Sequence, residues 1–368
     1  MWRFLPLLVA CHSAYTAPPG TREIAIDHGP IGLAAGDIDG DGRPDVVTAN
    51  TDSTISVRLQ RGERWQVAPD LRAPGFVHLV ALADLDGDGR LDLIASAHDV
   101  GGAYAWRGDG NGRFTPLPGS PAIAFGGKPH NHGLAVGDLD GDGDPDVVVA
   151  DQVQHAVAVL ANDRGRLVAR PPIALGAAPY PPVLGDLNRD GHLDLVVPLI
   201  GGQAIGVWLG DGRGGFTPAP GSPTRTPDPR PYGLAVADLD RDGALDVIAS
   251  HDDTDRVSIW LGDRRGGLRA APGSPIALGA RTSGLVAIDG DGDGIPDLVG
   301  AGSGVLVRAR GDGTGRFGPP RAERLGEGWR VVAADLDGDR RPELLAPDSD
   351  HRVVRIWPGV TGAARATR

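Results

Sequence analysis

The 368-residue sequence predicts an all-β fold: a seven-bladed β-propeller of four-stranded antiparallel blades, closed by an N-terminal strand in the last blade. Three observations predict it. The string Asp-x-Asp/Asn-x-Asp-x-x-x-Asp/Glu occurs seven times, at intervals of 46 to 54 residues, starting at Asp37, Asp84, Asp138, Asp186, Asp238, Asp289 and Asp335. A fixed period of this size marks a solenoid, propeller or array. Each string sits between two apolar runs of strand length. The last repeat lacks a fourth strand, and a spare strand precedes the first repeat.

The elements of a unit follow in order. A small-residue run leads into each string, as in "GLAAGD" or "GLAVGD", and a second run such as "DVVTA" or "DLIAS" leaves it. A third run follows, for example "IGVWL" or "VSIWL", and then a hairpin signal such as "GDGRGGF". A weaker fourth strand passes through Pro-Gly loops to the next unit. Four short strands in about 50 residues make one propeller blade. Closing seven of them into a ring removes exposed sheet edges. Side-chain room is scarce near the axis, which accounts for the Gly, Ala and Val of the first strand. Trp106, Trp208, Trp260 and Trp357 recur on the third strand, nearer the rim, and are read as packing between blades. The spare strand "REIAI", Arg22–Ile26, is expected to pair beside Val353–Trp357 and latch the ring.

Gly at 57 and Pro at 32 make turns frequent and long helices improbable. The net charge of −12 argues against nucleic-acid binding. A single cysteine, Cys11, excludes an intrachain disulfide. It lies in "MWRFLPLLVACHS", whose apolar run is too short to span a bilayer and reads as a clipped export signal. Leu8-Val9-Ala10-Cys11 resembles a bacterial lipobox, in which the cysteine is lipidated. The expected organisation is a leader and tether over residues 1–21, the propeller over 22–357 and a flexible tail over 358–368. An extracellular, periplasmic or cell-envelope protein is expected, monomeric, with a lipid anchor but no transmembrane helix.

Four carboxylates within nine residues should repel one another. Aspartates at positions 1, 3 and 5 of a tight loop, a glycine at 6, a carbonyl at 7 and a carboxylate at 9 supply hard oxygen ligands suited to calcium. The cation then offsets the repulsion. Seven divalent ions would bring the net charge from −12 to about +2. An EF-hand would place Glu at position 12 and then a helix. Here position 12 is Thr48 or Ala95, and a strand follows.

"GLAVGDLDGDGDPDVVVA" and "VSIWLGD", with the Gly-Phe hairpins, resemble the FG-GAP/VCBS repeats of integrin alpha-chain propellers and bacterial surface proteins. The resemblance covers residues 22–357 and implies a calcium-bearing propeller used in adhesion or recognition. Carried over by position, it implies ligands Asp37, Asp39, Asp41 and Asp45 with the carbonyl of Arg43 in the first loop. The second would use Asp84, Asp86, Asp88, Arg90 and Asp92, and the third Asp138, Asp140, Asp142, Asp144 and Asp146. The fourth would use Asp186, Asn188, Asp190, His192 and Asp194, and the fifth Asp238, Asp240, Asp242, Ala244 and Asp246. The sixth would use Asp289, Asp291, Asp293, Ile295 and Asp297, and the seventh Asp335, Asp337, Asp339, Arg341 and Glu343. Asn188 removes one charge from the fourth loop. In the seventh, Arg340 replaces the position-6 glycine and Glu343 stands at position 9, so that site is expected to be the weakest.

Propeller wiring places the acidic loops on one face and the between-blade and second-to-third-strand loops on the other. His28, His78, His98, His130, His132, His155, His251 and His351 fall on this second face, with Asp52, Asp99, Asp151, Asp252, Asp253, Asp348 and Asp350. Six residues before each acidic string stand Ile31, His78, His132, Tyr180, Tyr232, Ser283 and Trp329, a set expected to ring the axial mouth. His78, His132, Tyr180, Tyr232 and Trp329 are the candidate ligand contacts. Aromatic faces beside carboxylates suit sugar stacking, His with Tyr suits proton abstraction from a uronic acid, and His with Asp suits a transition metal. No nucleophile elbow, P-loop or zinc-helix motif occurs. The leading expectation is a recognition or adhesion module for protein or glycan, with structural calcium. The alternative is a polysaccharide lyase or related sugar-active enzyme.

Overall fold

Each acidic string becomes the turn between the innermost and second strands of one antiparallel sheet. The computed structural model describes residues 20–358. The seven innermost strands are Pro30–Gly36, Val80–Ala83, Asn131–Gly137, Val183–Gly185, Pro231–Ala237, Gly284–Ile288 and Val332–Ala334. The second strands are Asp45–Asn50, Asp92–Ala97, Asp146–Asp151, Asp194–Leu199, Asp246–His251, Asp297–Gly302 and Glu343–Asp348, and every residue in them is buried. Burial on both faces explains why these runs are continuously apolar rather than alternating. Seven apolar clusters hold the ring, one at each junction between neighbouring blades, the last joining Leu345 and Val354 of blade seven to Leu33 and Val46 of blade one. Trp106, Trp208, Trp260 and Trp357 each belong to one of these junctions, as expected.

The outer edge is more broken than the sequence suggests. In blades one to five two short strands share the edge of the third strand. In blade two, Phe114–Pro116 pairs with Trp106–Gly108, and Ala122–Ile123 pairs with Gly102–Ala103. The intervening "LPGSP" supplies two prolines that cannot donate to the ladder, so the strand leaves the sheet and returns.

Glycine on the innermost strand has a specific cause. A Cβ on Gly32 would lie 2.2 Å from the His78 carbonyl oxygen, and one on Gly233 would lie 1.9 Å from that of Ser283. Each glycine admits the backbone of the next blade at its mouth residue. The crowding that selects glycine therefore also brings the mouth residues together.

The latch forms as the sequence predicts. Arg22–Ala25 pairs antiparallel with the last strand, from Arg22 opposite Ile356 to Ala25 opposite Val353. Ile24 and Ile26 are buried in the junction between blades seven and one. Two buried arginines grip the same segment. Arg58 of blade one donates to the Ala25 carbonyl at 3.0 Å and to Asp27 at 3.2 Å. Arg355 of blade seven donates to Asp348 at 2.7 Å and pairs with Glu23.

Truncating Ile24 to Ala should cost about 3 kcal/mol, the usual scale for a buried isoleucine. Deleting residues 22–27 should expose the last strand edge and give a broader, lower melting transition by calorimetry. A deletion variant that melts like the parent would refute the latch.

Candidate functional site

The acidic loops are built by their own carboxylates. In the first loop Asp37 accepts the backbone N–H groups of Asp41 and Gly42 at 3.0 and 2.8 Å, Asp39 that of Asp41 at 3.3 Å, and Asp41 that of Arg43 at 3.0 Å. The second loop repeats this with Asp84, Asp86 and Asp88. These short-range bonds stabilise a turn rather than a helix or strand. They also place partial positive charge on each carboxylate, the first answer to the repulsion.

The ninth-position carboxylate does different work. Asp45 is buried and accepts the Ile38 N–H at 2.9 Å on one oxygen and the Gln60 N–H at 2.7 Å on the other. Asp92, Asp146, Asp194 and Asp246 make the same pair of bonds, each clamping its loop to the third strand of its blade. Glu343 keeps the loop bond, to Leu336 at 2.8 Å, and Asp297 keeps the strand bond, to Gly311 at 2.9 Å. Burial pushes the carboxyl groups of Asp45 and Asp246 up to about 6, against the opposing backbone hydrogen bonds. It raises Asp92, Asp146, Asp194, Asp297 and Glu343 in the same direction.

The oxygen set fits calcium. Carboxylate oxygens of Asp37, Asp39 and Asp41 lie within 4.8 Å of one another, as do those of Asp84, Asp86 and Asp92, of Asp138, Asp140 and Asp146, and of Asp238, Asp240 and Asp246. That span is about twice a Ca–O distance. Asp140 Oδ1, Asp238 Oδ1 and Asp297 Oδ2 are buried without a hydrogen-bond partner, a costly state for an anionic oxygen. Apart from Asp194 Oδ2, which accepts from both Leu187 and Asn188, each backbone-bonded oxygen of the ninth carboxylates keeps a second lone pair.

Two features of the loops were not read from the sequence. Arginines of the same blade reach the third-position carboxylate: Arg107 pairs with Asp86, Arg170 with Asp140 at 2.7 Å, and Arg310 with Asp291 at 2.8 Å. Arg61 does the same for Asp39, and Arg269 approaches Asp240 at 3.8 Å. Their only sequence signal is a basic residue at or beyond the end of the third strand. Position 4 is also left-handed, not position 6 alone. Arg340 has a φ of 68°, and so do Arg189 at 62° and Arg241 at 61°, both at position 4. The seventh loop is therefore one of three that hold an arginine where glycine is favoured.

On the opposite face the seven mouth residues come together. Ring centroids are 5.0 Å apart for His78 and His132, 5.4 Å for His132 and Tyr180, and 4.3 Å for Tyr180 and Tyr232. Tyr180, Tyr232, Ser283 and Trp329 line a cleft of about 330 Å³ with Asp252 and Arg281, and Trp329 and Ile31 line a neighbouring one. Trp329 is half exposed. Burial, then the neighbouring histidines and Arg330, push His132 down to about 4 and His78 further still. Arg330, which the sequence reading missed, stands close enough to influence His78, His132 and Tyr232. Burial lowers its guanidinium, but from so high a starting value that the group stays cationic.

The other face residues divide. His98 and His130 join His78 and His132, whereas His28 pairs with Asp52 at 2.7 Å and Asp70 at 3.2 Å. His251 is buried against Ser258 and the Pro229 carbonyl, His351 pairs with Asp348, and His155 is exposed in a turn. The acids are mostly engaged: Asp99 by His98, Asp252 by Arg230 and Arg281, Asp348 by Arg355. Cys11 lies outside the described residues, as does the tail beyond Pro358.

Replacing Asp146 by Ala strands the Leu139 and Asn162 N–H groups and should cost about 2–5 kcal/mol. The loss should persist in EDTA, read by urea unfolding. Asp142→Ala, on the exposed side of the same loop, should leave the EDTA value within about 0.5 kcal/mol. Equal losses for the two in EDTA would show that the ninth carboxylate is no clamp.

Comparison with known proteins agrees with this geometry. The FG-GAP-like repeat model matches residues 37–95, 84–149, 138–197 and 289–346, more than half of the chain. No curated protein sequence matches. Among solved structures, BBS1N in complex with ARL6DN aligns with a TM-score of 0.66 at 15% identity, covering 93% of this chain and 96% of that one. Virginiamycin B lyase from Staphylococcus aureus aligns at 0.57 and 15% identity, covering 91% and 98%. A lectin from Agrocybe aegerita, described as recognising non-reducing terminal N-acetylglucosamine, aligns at 0.55 and 21%, covering 81% and 80%. Identities this low speak for the shared fold alone, whereas the repeat match joins with the seven loops and seven blades: the chain belongs to the FG-GAP-like repeat family and is a seven-bladed β-propeller.

Proposed function

We propose that this protein is an exported recognition module, stabilised by calcium in its acidic loops, that binds a protein or glycan ligand at the axial mouth. The mouth carries the proposal: Tyr180, Tyr232, Trp329 and the histidines converge from separate blades onto one face. An innermost strand of seven residues sets that face about 20 Å from the acidic loops. Calcium would therefore hold the blades rather than touch the ligand. The Tyr and Trp rings offer stacking faces, and Asp252 and Arg281 offer hydrogen bonds beside them. Among proteins of the same fold, one was crystallised with a protein partner and another is described as recognising a sugar terminus. Export is supported by the N-terminal apolar run and by the match between weak calcium loops, at about 10⁻⁴–10⁻³ M, and calcium outside cells. Among the described residues no helix is long and apolar enough to cross a membrane.

Calcium at about ten times its dissociation constant should add roughly 1.4 kcal/mol per filled loop. The increment should depend on pH. The ninth-position carboxyls have folded values above their ordinary one, near 6 against 3.8 for Asp45 and Asp246. Without metal, their contribution to stability is present below the ordinary value and lost as pH rises through about 6. The lowered mouth histidines run the other way, favouring the fold above their ordinary value. The difference between calcium and chelator cancels the histidine contribution and leaves proton–calcium competition. It should be small at pH 5 and full by pH 7.5, with the seventh loop filling last. A melting temperature indifferent to EDTA at pH 7.5, with no bound divalent ion by elemental analysis, would end the calcium reading.

For the mouth, a glycan and protein binding screen should yield a ligand whose binding falls at least tenfold in Tyr232→Ala and in His132→Ala. Unsaturated sugar products released in the same screen would favour the enzyme alternative. A ligand bound equally by both variants would place recognition elsewhere.

A further inference from the structure

Four histidines crowd one sector of the mouth, contributed by two neighbouring blades. His98 follows the second strand of blade two, and His130 and His132 flank the start of the innermost strand of blade three. Ring centroids are 4.3 Å apart for His98 and His130, 4.3 Å for His130 and His132, and 5.2 Å for His98 and His132. One ring nitrogen from each of the three lies within 4.8 Å of the other two. A tetrahedral ion with about 2.05 Å metal–nitrogen bonds needs those nitrogens about 3.3 Å apart, which small side-chain rotations would achieve. His78 closes the cluster at 5.7 Å from His98 and 5.0 Å from His132, and both its ring nitrogens are buried without a hydrogen-bond partner.

The surroundings suit ligation. His98 Nδ1 meets Asp99 Oδ1 at 2.6 Å, so Nδ1 carries the proton and Nε2 is left as the ligating atom. The backbone N–H of His130 donates to Asp151 Oδ2 at 2.6 Å, which fixes the turn that presents its ring. These two carboxylates lie on the His98–His130 side. Arg330 opposes a cation from the His78–His132 side, so the ion is expected nearer His98 and His130.

We propose that His98, His130 and His132 bind one late first-row divalent transition-metal ion of the zinc, copper or nickel class, with Asp99 orienting His98. Imidazole nitrogen favours that class over calcium, so the acidic loops and the histidine cluster select different ions. The site stands on the histidines alone and does not require that the mouth recognise a protein or glycan. Three protein ligands leave a fourth position open. An oxygen or nitrogen donor of a bound molecule would fill it.

The test uses the full chain without a histidine tag, stripped with chelator and then saturated with calcium so that the acidic loops do not compete. Titration with Co²⁺ should give one equivalent of visible ligand-field absorption, and Zn²⁺ should displace it. His98→Ala and His130→Ala should each abolish the band or weaken Co²⁺ affinity more than tenfold. Asp99→Asn should weaken it about tenfold, the usual scale for such a supporting carboxylate. His155→Ala, on an exposed turn, should change nothing. A cooperative melting transition like the parent's shows that each variant is folded. Absence of saturable binding, or a band that survives loss of His98 and His130, would overturn the proposal and leave the cluster as packed rings.

Discussion

The ninth-position carboxylate is the constraint on which each blade depends. It is an ionisable group taken out of water at the one place where three strands of a blade meet. In blades one to five it is tolerable there because two backbone N–H groups, one from the acidic turn and one from the third strand, satisfy it, and in blades six and seven one of the two remains. The turn then cannot move without unpairing a buried carboxylate. The rest of the turn, with its first, third and fifth carboxylates, is built out from that anchor. The metal chemistry proposed for these loops is thus secondary in the physical order. The clamp makes the turn, and the turn gathers the remaining oxygens.

Much of this was legible because it is periodic. A repeated string fixes the blade count, a missing fourth strand fixes the partner of Arg22–Ala25, and counting back six residues from each string finds the mouth. That last step works because the segment that crosses from the mouth to the acidic turn is equally long in every blade, although the part of it paired as strand varies from three to seven residues. The unread parts are those that periodicity does not carry. Arg330 is one residue beyond a mouth position, in a single blade, and its importance lies in reaching across the axis. The arginines that meet the third carboxylate come from different points on the third and outer strands, as Arg107 and Arg170 do. The clamp itself was read only as a metal ligand. A carboxylate before a buried strand looks the same in sequence whether its lone pairs face an ion or the backbone.

The histidines teach a related lesson. The sequence placed eight on one face without distinguishing them, and local partners separate them. His28 is held by Asp52 and Asp70, and His251 by a serine and a carbonyl inside blade five. Among the described residues, His78, His98, His130 and His132, near the junction of blades two and three, pack chiefly against one another, with Asp99 beside His98. Position on a face is set by topology. What a titratable side chain does there is set by the nearest hydrogen-bonding group, which one sequence does not reveal.

The two faces also differ in how they treat charge. The acidic face concentrates carboxylates and counters them with backbone N–H groups, arginines and, on our reading, calcium. The mouth gathers aromatic and imidazole rings near Arg330, and its own carboxylates are largely paired with arginines such as Arg230 and Arg281 or with imidazoles. On the proposed function, a ligand arriving at the mouth would meet stacking surfaces and the guanidinium groups of Arg281 and Arg330 rather than a field of anions. That favours a neutral or acidic partner over a basic one. It also explains how a chain with a net charge of −12 can present a face that does not repel acidic molecules. The negative charge resides mostly in loops about 20 Å away, beyond a Debye length at physiological salt.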